Sequence, residues 1–196
     1  GEDEWIYIVN FYGQLNNDYL IALKRKYDRI IVDNAQSYFQ MPAEGVDTLY
    51  TCRKYFGVAD GAFLYTDKRL ERELLQDESF ERMHFLIGRF ERCANEFYSE
   101  YVANNKLFST EPIKRMSRMT ENLLRGIDYA SVAKKRQENF ECLDTEFRSI
   151  NELKLKSVYG AFMYPLLLPN CGRMCWKNVR RIVWNTIMRK IFCRFQ

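Results

Sequence analysis

The alternation of short apolar segments with one amphipathic helix over residues 1–66 constrains the fold most. Five segments carry this pattern: a buried strand ending in a turn ("EWIYIVNFYG", 4–13), an amphipathic helix ("NNDYLIALKRKY", 16–27) and three short buried strands ("RIIVD", 29–33; "VDTLYT", 46–51; "GAFLYT", 61–66). Asn16 or Asn17 can cap the helix. A strand–helix–strand order of this kind predicts an α/β layered domain.

From Asp67 onward the spacing of apolar residues becomes helical. Asp67 can cap a first helix ("DKRLERELL", 67–75), and apolar residues from Phe80 to Tyr101 recur at steps of three and four, which predicts one long helix over about 78–105. His84 lies in that stripe and is predicted to be packed rather than catalytic. Pro112 suits the first turn of a helix over about 111–125.

The last part of the chain predicts a helix followed by strands. Asp128 can cap a helix whose apolar stripe runs from Val132 to Ile150, and "LKLKSVYGAFMYPLLL" (153–168) predicts two strands around Gly160. The predicted organisation has three parts: a partial large α/β domain (1–76), a long connecting helix (77–110) and a small α+β domain (111–196) with an atypical basic tail (171–196).

Composition and charge narrow the functional classes. Hydrophobic residues make up 47% of the chain, enough for a core, and no apolar run reaches the 18 or so residues that a membrane-spanning helix needs. The six cysteines follow neither a disulfide-scaffold nor a zinc spacing, which predicts reduced thiols in a cytoplasmic protein.

The net charge of +4 is unevenly distributed. Residues 171–196 hold seven basic residues and no acid, so the other 170 residues carry 23 basic against 26 acidic side chains, a net of −3. We therefore expect neither nucleic acid nor a membrane as partner of the main body. The tail admits several interpretations: a shifted reading frame, a truncation, a true divergence, or a basic amphipathic helix for anionic surfaces.

Asp33 and Lys54 are the main candidate functional residues. Asp33 ends an apolar strand, where ligands bind in open α/β sheets, and it can cap a turn, bind a ribose or metal, or pair with a cationic ring nitrogen. Taken alone, turn capping is the favoured interpretation. Thr51 stands three residues before Lys54 in a loop closed by glycines, so a phosphate held at Thr51 would place an aldehyde near the lysine amine. Together these residues predict a pyridoxal 5'-phosphate site; the alternative is a solvated lysine in a basic loop.

The order of several motifs resembles the DegT/StrS sugar aminotransferases, a pyridoxal-phosphate family of the aspartate aminotransferase fold. The resemblance covers about residues 5–168 and is carried by "FYGQL" (11–15), "VDNAQSYF" (32–39), "RKYFGVADGAFLYT" (53–66), "MTENLLRGIDYASVAKKRQENFECL" (119–143) and "GAFMYPLLL" (160–168). It implies the C-terminal part of a fold type I large domain followed by a smaller α+β domain, with the family's N-terminal half absent.

The resemblance also implies residue roles and partners. Asp33 would bind the pyridine nitrogen, Gln36 the 3-oxygen or the ring, Thr51 the phosphate, and Lys54 would bind the cofactor covalently and carry the proton. Where the family places a phosphate-binding serine, five residues before the lysine, this chain has Leu49. The implied activity is amino transfer from a donor such as glutamate to a nucleotide-linked keto sugar, in a homodimer; the alternative is a non-catalytic protein of the same fold.

Overall fold

A four-stranded mixed sheet forms the centre of the protein, whose computed structural model describes residues 4–169. Its strands lie in the order of the sequence: β1 (Ile6–Val9), β2 (Ile30–Asp33), β3 (Asp47–Thr51) and β4 (Ala62–Tyr65). The first three strands are parallel, and β4 runs antiparallel to β3. The predicted strands of the first 66 residues and the α/β class are confirmed.

The first helix begins and packs as its sequence predicts. Helix α1 (Asn17–Tyr27) is capped by Asn16, whose side-chain oxygen accepts a 3.0 Å hydrogen bond from the backbone N–H of Tyr19. Leu20 packs from α1 onto Ile30 and Val32 of β2, and each of these three side chains is at most 1% exposed. The helix thereby forms the crossover that two neighbouring parallel strands require.

The opposite face of the sheet is much more open. Strand register places Val9, Asp33 and Leu49 side by side on this face, and Tyr7, on the same face of β1, is 56% exposed. The predicted burial is therefore wrong for β1, and also for β4, all four of whose residues are exposed. These two strands form the edges of the sheet within the described residues, so each has a neighbouring strand on one side only.

Two shorter helices replace the predicted long helix over 78–105. Helices α2 (His84–Glu91) and α3 (Tyr98–Leu107) are separated by extended backbone at Arg92 and Cys93. The chain can fold back because Gly88 leaves room for the ring of Phe97: a Cβ at Gly88 would lie 2.3 Å from a ring carbon. The regular spacing of apolar residues thus belongs to two helices that pack on each other, not to one long helix.

Pairing between distant segments overrides two further helix predictions. The region predicted as a helix over 67–75 contains none. At its end, the N–H of Arg115 donates to the carbonyl of Leu75 (2.8 Å), and the N–H of Asp77 donates to the carbonyl of Arg115 (2.9 Å). The same pairing holds residues 111–116 outside helix α4 (Arg118–Arg125). Pro112 therefore precedes the helix instead of starting it, and Ser117 is the cap.

Helix α5 (Tyr129–Phe147) is confirmed, with Asp128 accepting a 3.0 Å hydrogen bond from Ser131 N–H. The two strands predicted around Gly160 are absent from 153–168. The Asn151 side chain binds this segment instead, donating to the carbonyl of Pro165 (3.0 Å) and accepting from the N–H of Leu167 (3.0 Å). The side-chain amide of Asn151 thus forms hydrogen bonds with backbone groups that a neighbouring strand would otherwise have paired.

Other sequence predictions concern the chain as a whole. Among residues 4–169, no helix combines the length and the apolar composition that crossing a membrane requires. The alternatives for the basic tail fall on 171–196, outside the described residues. The division into domains stays a prediction.

Candidate functional site

Asp33 lies at the carboxyl end of β2 with hydrogen-bond partners on both carboxylate oxygens. Its Oδ1 accepts from the N–H of Ala35 (2.7 Å), which is the predicted turn cap, and its Oδ2 accepts from the Tyr7 hydroxyl (2.8 Å). Burial, together with the hydrogen bond and charge of Asp33, raises the pKa of Tyr7 to about 12. A carboxylate offers about four acceptor positions, so Asp33 can still accept from a ligand.

Gln36 holds the turn that follows β1. Its Oε1 accepts a 3.1 Å hydrogen bond from the N–H of Tyr12, a residue in the left-handed region at φ 57°. Gly13 follows at φ 71°, and a Cβ there would lie 2.7 Å from Val158. The "FYG" turn is thereby fixed in a conformation that few non-glycine residues adopt.

A buried amide network, which sequence reasoning missed, connects the ends of β1 and β2. The Asn10 amide donates to Asn34 Oδ1 and to Gln40 Oε1, both at 2.9 Å, and Asn10 and Asn34 are at most 1% exposed. Gln40 in turn donates to the carbonyl of Leu15 at 2.9 Å. Two asparagines that each follow an apolar strand were the available signal. The network orients the turn from Asp33 to Gln36 against the start of α1.

Lys54 lies in a tight loop directly after β3. The carbonyl of Cys52 accepts from the N–H groups of Tyr55 (3.1 Å) and Phe56 (2.9 Å), which closes the loop and leaves the Lys54 side chain exposed. Its Nζ lies 5.9 Å from the ring centroid of Phe162. Phe162 belongs to the segment predicted as a strand after Gly160.

A cavity of about 350 Å³, which we name the Lys54 cavity, opens beside this loop. Three cations and two amides contribute polar groups to its wall (Arg53, Lys54, Arg89, Asn104, Asn105), and aromatic residues contribute much of the remainder (Tyr55, Phe56, Phe85, Phe90, Tyr101). None of the described residues that line it is acidic. Burial lowers the pKa of Arg53, whose guanidinium lies 4.2 Å from the ring centroid of Phe108.

Arg136 of helix α5 ties the C-terminal segment to the Lys54 loop. Its guanidinium donates to the carbonyls of Tyr55 (3.2 Å) and Phe162 (3.3 Å) and lies 4.5 Å from the Tyr55 ring centroid. Burial lowers the pKa of Arg136 and raises that of Tyr55 to about 12. Arg136 therefore brings together three of the segments that carry the family resemblance, 53–66, 119–143 and 160–168.

Asp60 anchors the other end of the loop to helix α4. The carboxylate is 1% exposed; it accepts from the N–H (2.5 Å) and hydroxyl (2.8 Å) of Ser117, the helix cap, and from the hydroxyl of Thr120. A carboxylate at a helix N-terminus is stabilised by the backbone dipoles. The acid in the "GVADG" turn was the signal for this contact.

His84 differs from its prediction. Its side chain is 73% exposed, and Nδ1 lies 2.9 Å from Glu100 Oε2, so it is not packed in a core. The break between α2 and α3 turns this position outward. No group of three or more possible metal ligands occurs in residues 4–169.

The structure brings the four predicted site residues to one end of the sheet but not to one cavity. Thr51 lies on the same face as Asp33, and their Cα atoms are roughly 8 Å apart, from the usual spacing within and between strands. Thr51 lines a larger cavity of about 1330 Å³ over β3 and β4, whereas Lys54 lines the smaller one. Asp33 and Gln36 border neither of these two cavities.

Pyridoxal phosphate needs an acceptor for its ring nitrogen, an amine for its aldehyde and donors for its phosphate. Asp33 retains acceptor capacity, Lys54 presents an exposed amine, and Arg53 and Arg89 border the cavity next to it. These side chains have suitable chemistry, but Asp33 lies outside the cavity that Lys54 and the two arginines line. No family model, curated protein or solved structure matches the chain.

Proposed function

We propose that the chain is a pyridoxal-phosphate-dependent aminotransferase of the DegT/StrS type, with fold type I. The proposal includes a keto sugar acceptor, nucleotide-linked, an amino acid donor such as glutamate, and a homodimer. The observation that carries it is the order of elements: a strand and its "FYG" turn, a neighbouring parallel strand ending in Asp33, and the next parallel strand leading into Lys54.

The antiparallel strand β4 adds support. It follows the Lys54 loop at once, as the motif order that the chain resembles requires, and the backbone bond from Cys52 N–H to the carbonyl of Gly61 (3.1 Å) closes that loop at its base. Gly61 has φ +100°, and a Cβ there would lie 2.9 Å from Thr120. The glycine turn is therefore required both by the backbone and by the packing of α4.

In this function the cofactor supplies an electron sink for charge that develops at the substrate Cα. Asp33 would accept the ring N–H, with Tyr7 and the N–H of Ala35 holding the carboxylate in place. Lys54 Nζ would hold the aldehyde carbon covalently until the amino group of the donor displaces it. The freed lysine amine would then take the proton from the substrate Cα and return it to the former aldehyde carbon. Gln36 would contact the 3-oxygen, and Thr51 would donate to the phosphate.

Borohydride trapping tests the proposal. The chain is incubated with an equimolar amount of pyridoxal phosphate, reduced with borohydride and mapped by peptide mass spectrometry. We expect the pyridoxyl adduct at Lys54, strongly reduced labelling of Asp33→Asn, and none at position 54 of Lys54→Ala. Exposed Lys106 in helix α3 is the internal control for unspecific labelling. Labelling of Lys54 no stronger than that of Lys106 would refute the proposal.

One observation favours a second candidate, a non-catalytic protein of the same fold. Asp33 borders neither of the two cavities that Thr51 and Lys54 line, and both of its oxygens already have intrachain partners. In that case Asp33 is only a turn cap, and Asp33→Asn should leave labelling of Lys54 unchanged. The two candidates thus differ in the outcome of the same variant.

A further inference from the structure

The hairpin of helices α2 and α3 carries an exposed apolar surface, which we name the hairpin patch. Five side chains form it: Ile87 (59% exposed), Phe90 (88%), Tyr98 (64%), Tyr101 (41%) and Val102 (43%). Ile87 and Phe90 lie one turn apart in α2. In α3, Tyr98 lies one turn from Tyr101 and from Val102. Phe90 and Tyr101 line the Lys54 cavity together, which joins the two halves into one surface. A continuous exposed apolar surface of this kind is often a contact site.

The size of the hairpin patch fits the apolar part of a stable interface. An aromatic side chain offers about 150–250 Å², so at their exposed fractions the three aromatic residues of the patch present roughly 300–500 Å², and its two aliphatic side chains add to this. A standard interface takes about 800 Å² from each partner, and somewhat more than half of that area, roughly 450 Å², is apolar. The patch therefore supplies the apolar core of an interface, and exposed charged neighbours such as Arg89 and Glu91 can form its polar rim.

We infer that a second copy of this chain covers the hairpin patch through a two-fold contact. Such a contact uses the same surface of both copies, so that surface must offer both a protruding group and a recess. The patch has both, because the exposed Phe90 ring stands beside the Lys54 cavity, whose wall is rich in aromatic side chains. Phe90 of either copy can pack at the cavity mouth of the other, as a central aromatic anchor. The inference rests on the homodimer of the proposed function and names its surface.

Analytical ultracentrifugation of the whole chain over about 1–100 μM, without pyridoxal phosphate, tests the inference, because interfaces of this size have dissociation constants in the μM range or tighter. We expect a monomer–dimer equilibrium for the unsubstituted chain. Phe90→Asp puts a charge into the patch of both copies and should raise the dissociation constant of the dimer about tenfold or more. Since Phe90 is exposed, the far-UV circular dichroism and the urea midpoint of this variant should stay unchanged.

The matched control is Met41→Asp, which places the same charge at a similarly exposed apolar residue (76%) near the start of α1. It should leave the dissociation constant unchanged. A chain that stays monomeric at every concentration, or a dimer that both variants weaken equally or not at all, would overturn the inference. A dimer that Phe90→Asp dissociates, without labelling of Lys54 by pyridoxal phosphate, would uphold this inference and refute the proposed function. Labelling of Lys54 in a chain that stays monomeric would overturn this inference and leave the covalent chemistry of the proposed function standing.

Discussion

Asp60 should be the most sensitive polar residue of the described chain. Its buried carboxylate accepts from Ser117 N–H, from the Ser117 hydroxyl and from the Thr120 hydroxyl. Hydrogen bonds to a charged group contribute about 1.5–3 kcal/mol each, and the freed hydroxyls can rotate to other partners, so Asp60→Ala should cost about 4 kcal/mol. Asp60→Asn keeps the volume and one acceptor oxygen and should cost about 1–2 kcal/mol.

Urea unfolding followed by circular dichroism and tryptophan fluorescence measures the effect, with the free energy of unfolding taken from linear extrapolation. Glu138→Ala is the control, since it removes a half-exposed acid that lies 3.8 Å from Lys135, in helix α5 where alanine is well tolerated. If Asp60→Ala lies within 1 kcal/mol of the control, the carboxylate does not anchor α4 to the loop and the reasoning is wrong.

Three further predictions follow from local geometry and burial. Gly160→Ala should destabilise the protein by about 1–3 kcal/mol in the same assay, because φ is +62° and the new Cβ would lie 2.4 Å from an aromatic ring carbon. Asp33→Asn should lower the pKa of Tyr7 from about 12, since partial desolvation of the hydroxyl remains but the hydrogen bond and the charge of Asp33 are lost. Spectrophotometric titration, with the Tyr7→Phe variant subtracted to isolate the Tyr7 signal, measures this change, and an unchanged pKa would contradict it. In the unsubstituted chain the stabilisation from Tyr7 is complete below pH 10 and is lost between pH 10 and 12. Burial raises the pKa of Cys52 to about 12, so iodoacetamide at pH 8 should label exposed Cys93 and spare Cys52 by mass spectrometry, and equal labelling would contradict the burial.

Local sequence signals predicted the elements that local interactions determine. Asn16 and Asp128 each accept a hydrogen bond from a backbone N–H three residues later, so the helix starts were readable from five or six residues. The strands of the first 66 residues were predicted from short apolar runs. The burial that such runs suggest holds on one face of β2 and β3, but not for β1 and β4, whose residues are mostly exposed.

The errors arose where distant segments decide the structure. The break between α2 and α3 depends on Gly88 receiving the ring of Phe97, and apolar periodicity is the same for one helix or for two folded against each other. Likewise, Arg115, three residues after Pro112, pairs with residues 75–77, which lie too far away in the sequence for a local window to include both segments.

In the candidate site, too, contacts between residues distant in the sequence could not be predicted. The turn-capping role of Asp33 was predicted from its position and is present, but its second partner, Tyr7, comes from a neighbouring strand 26 residues earlier. The buried network of Asn10 and Asn34 was missed because an asparagine after a strand is also an ordinary turn residue. Only the fold reveals which of the two it is.

Asp33 lies apart from the Lys54 cavity, so a single cofactor could contact both only by bridging the distance between them. Asp33 lies on the open face of the sheet, whereas Arg53 and Arg89 line the Lys54 cavity, which Asp33 does not border. One planar ligand would therefore use all three only by spanning from the strand ends across the Lys54 loop. A ligand bound to Asp33 would leave the arginines to a different anion, and a ligand bound to the arginines would leave Asp33 as a turn cap. Comparing Asp33→Asn with Arg89→Gln in the trapping assay separates these arrangements, because only a ligand that spans both groups makes labelling of Lys54 depend on each of them.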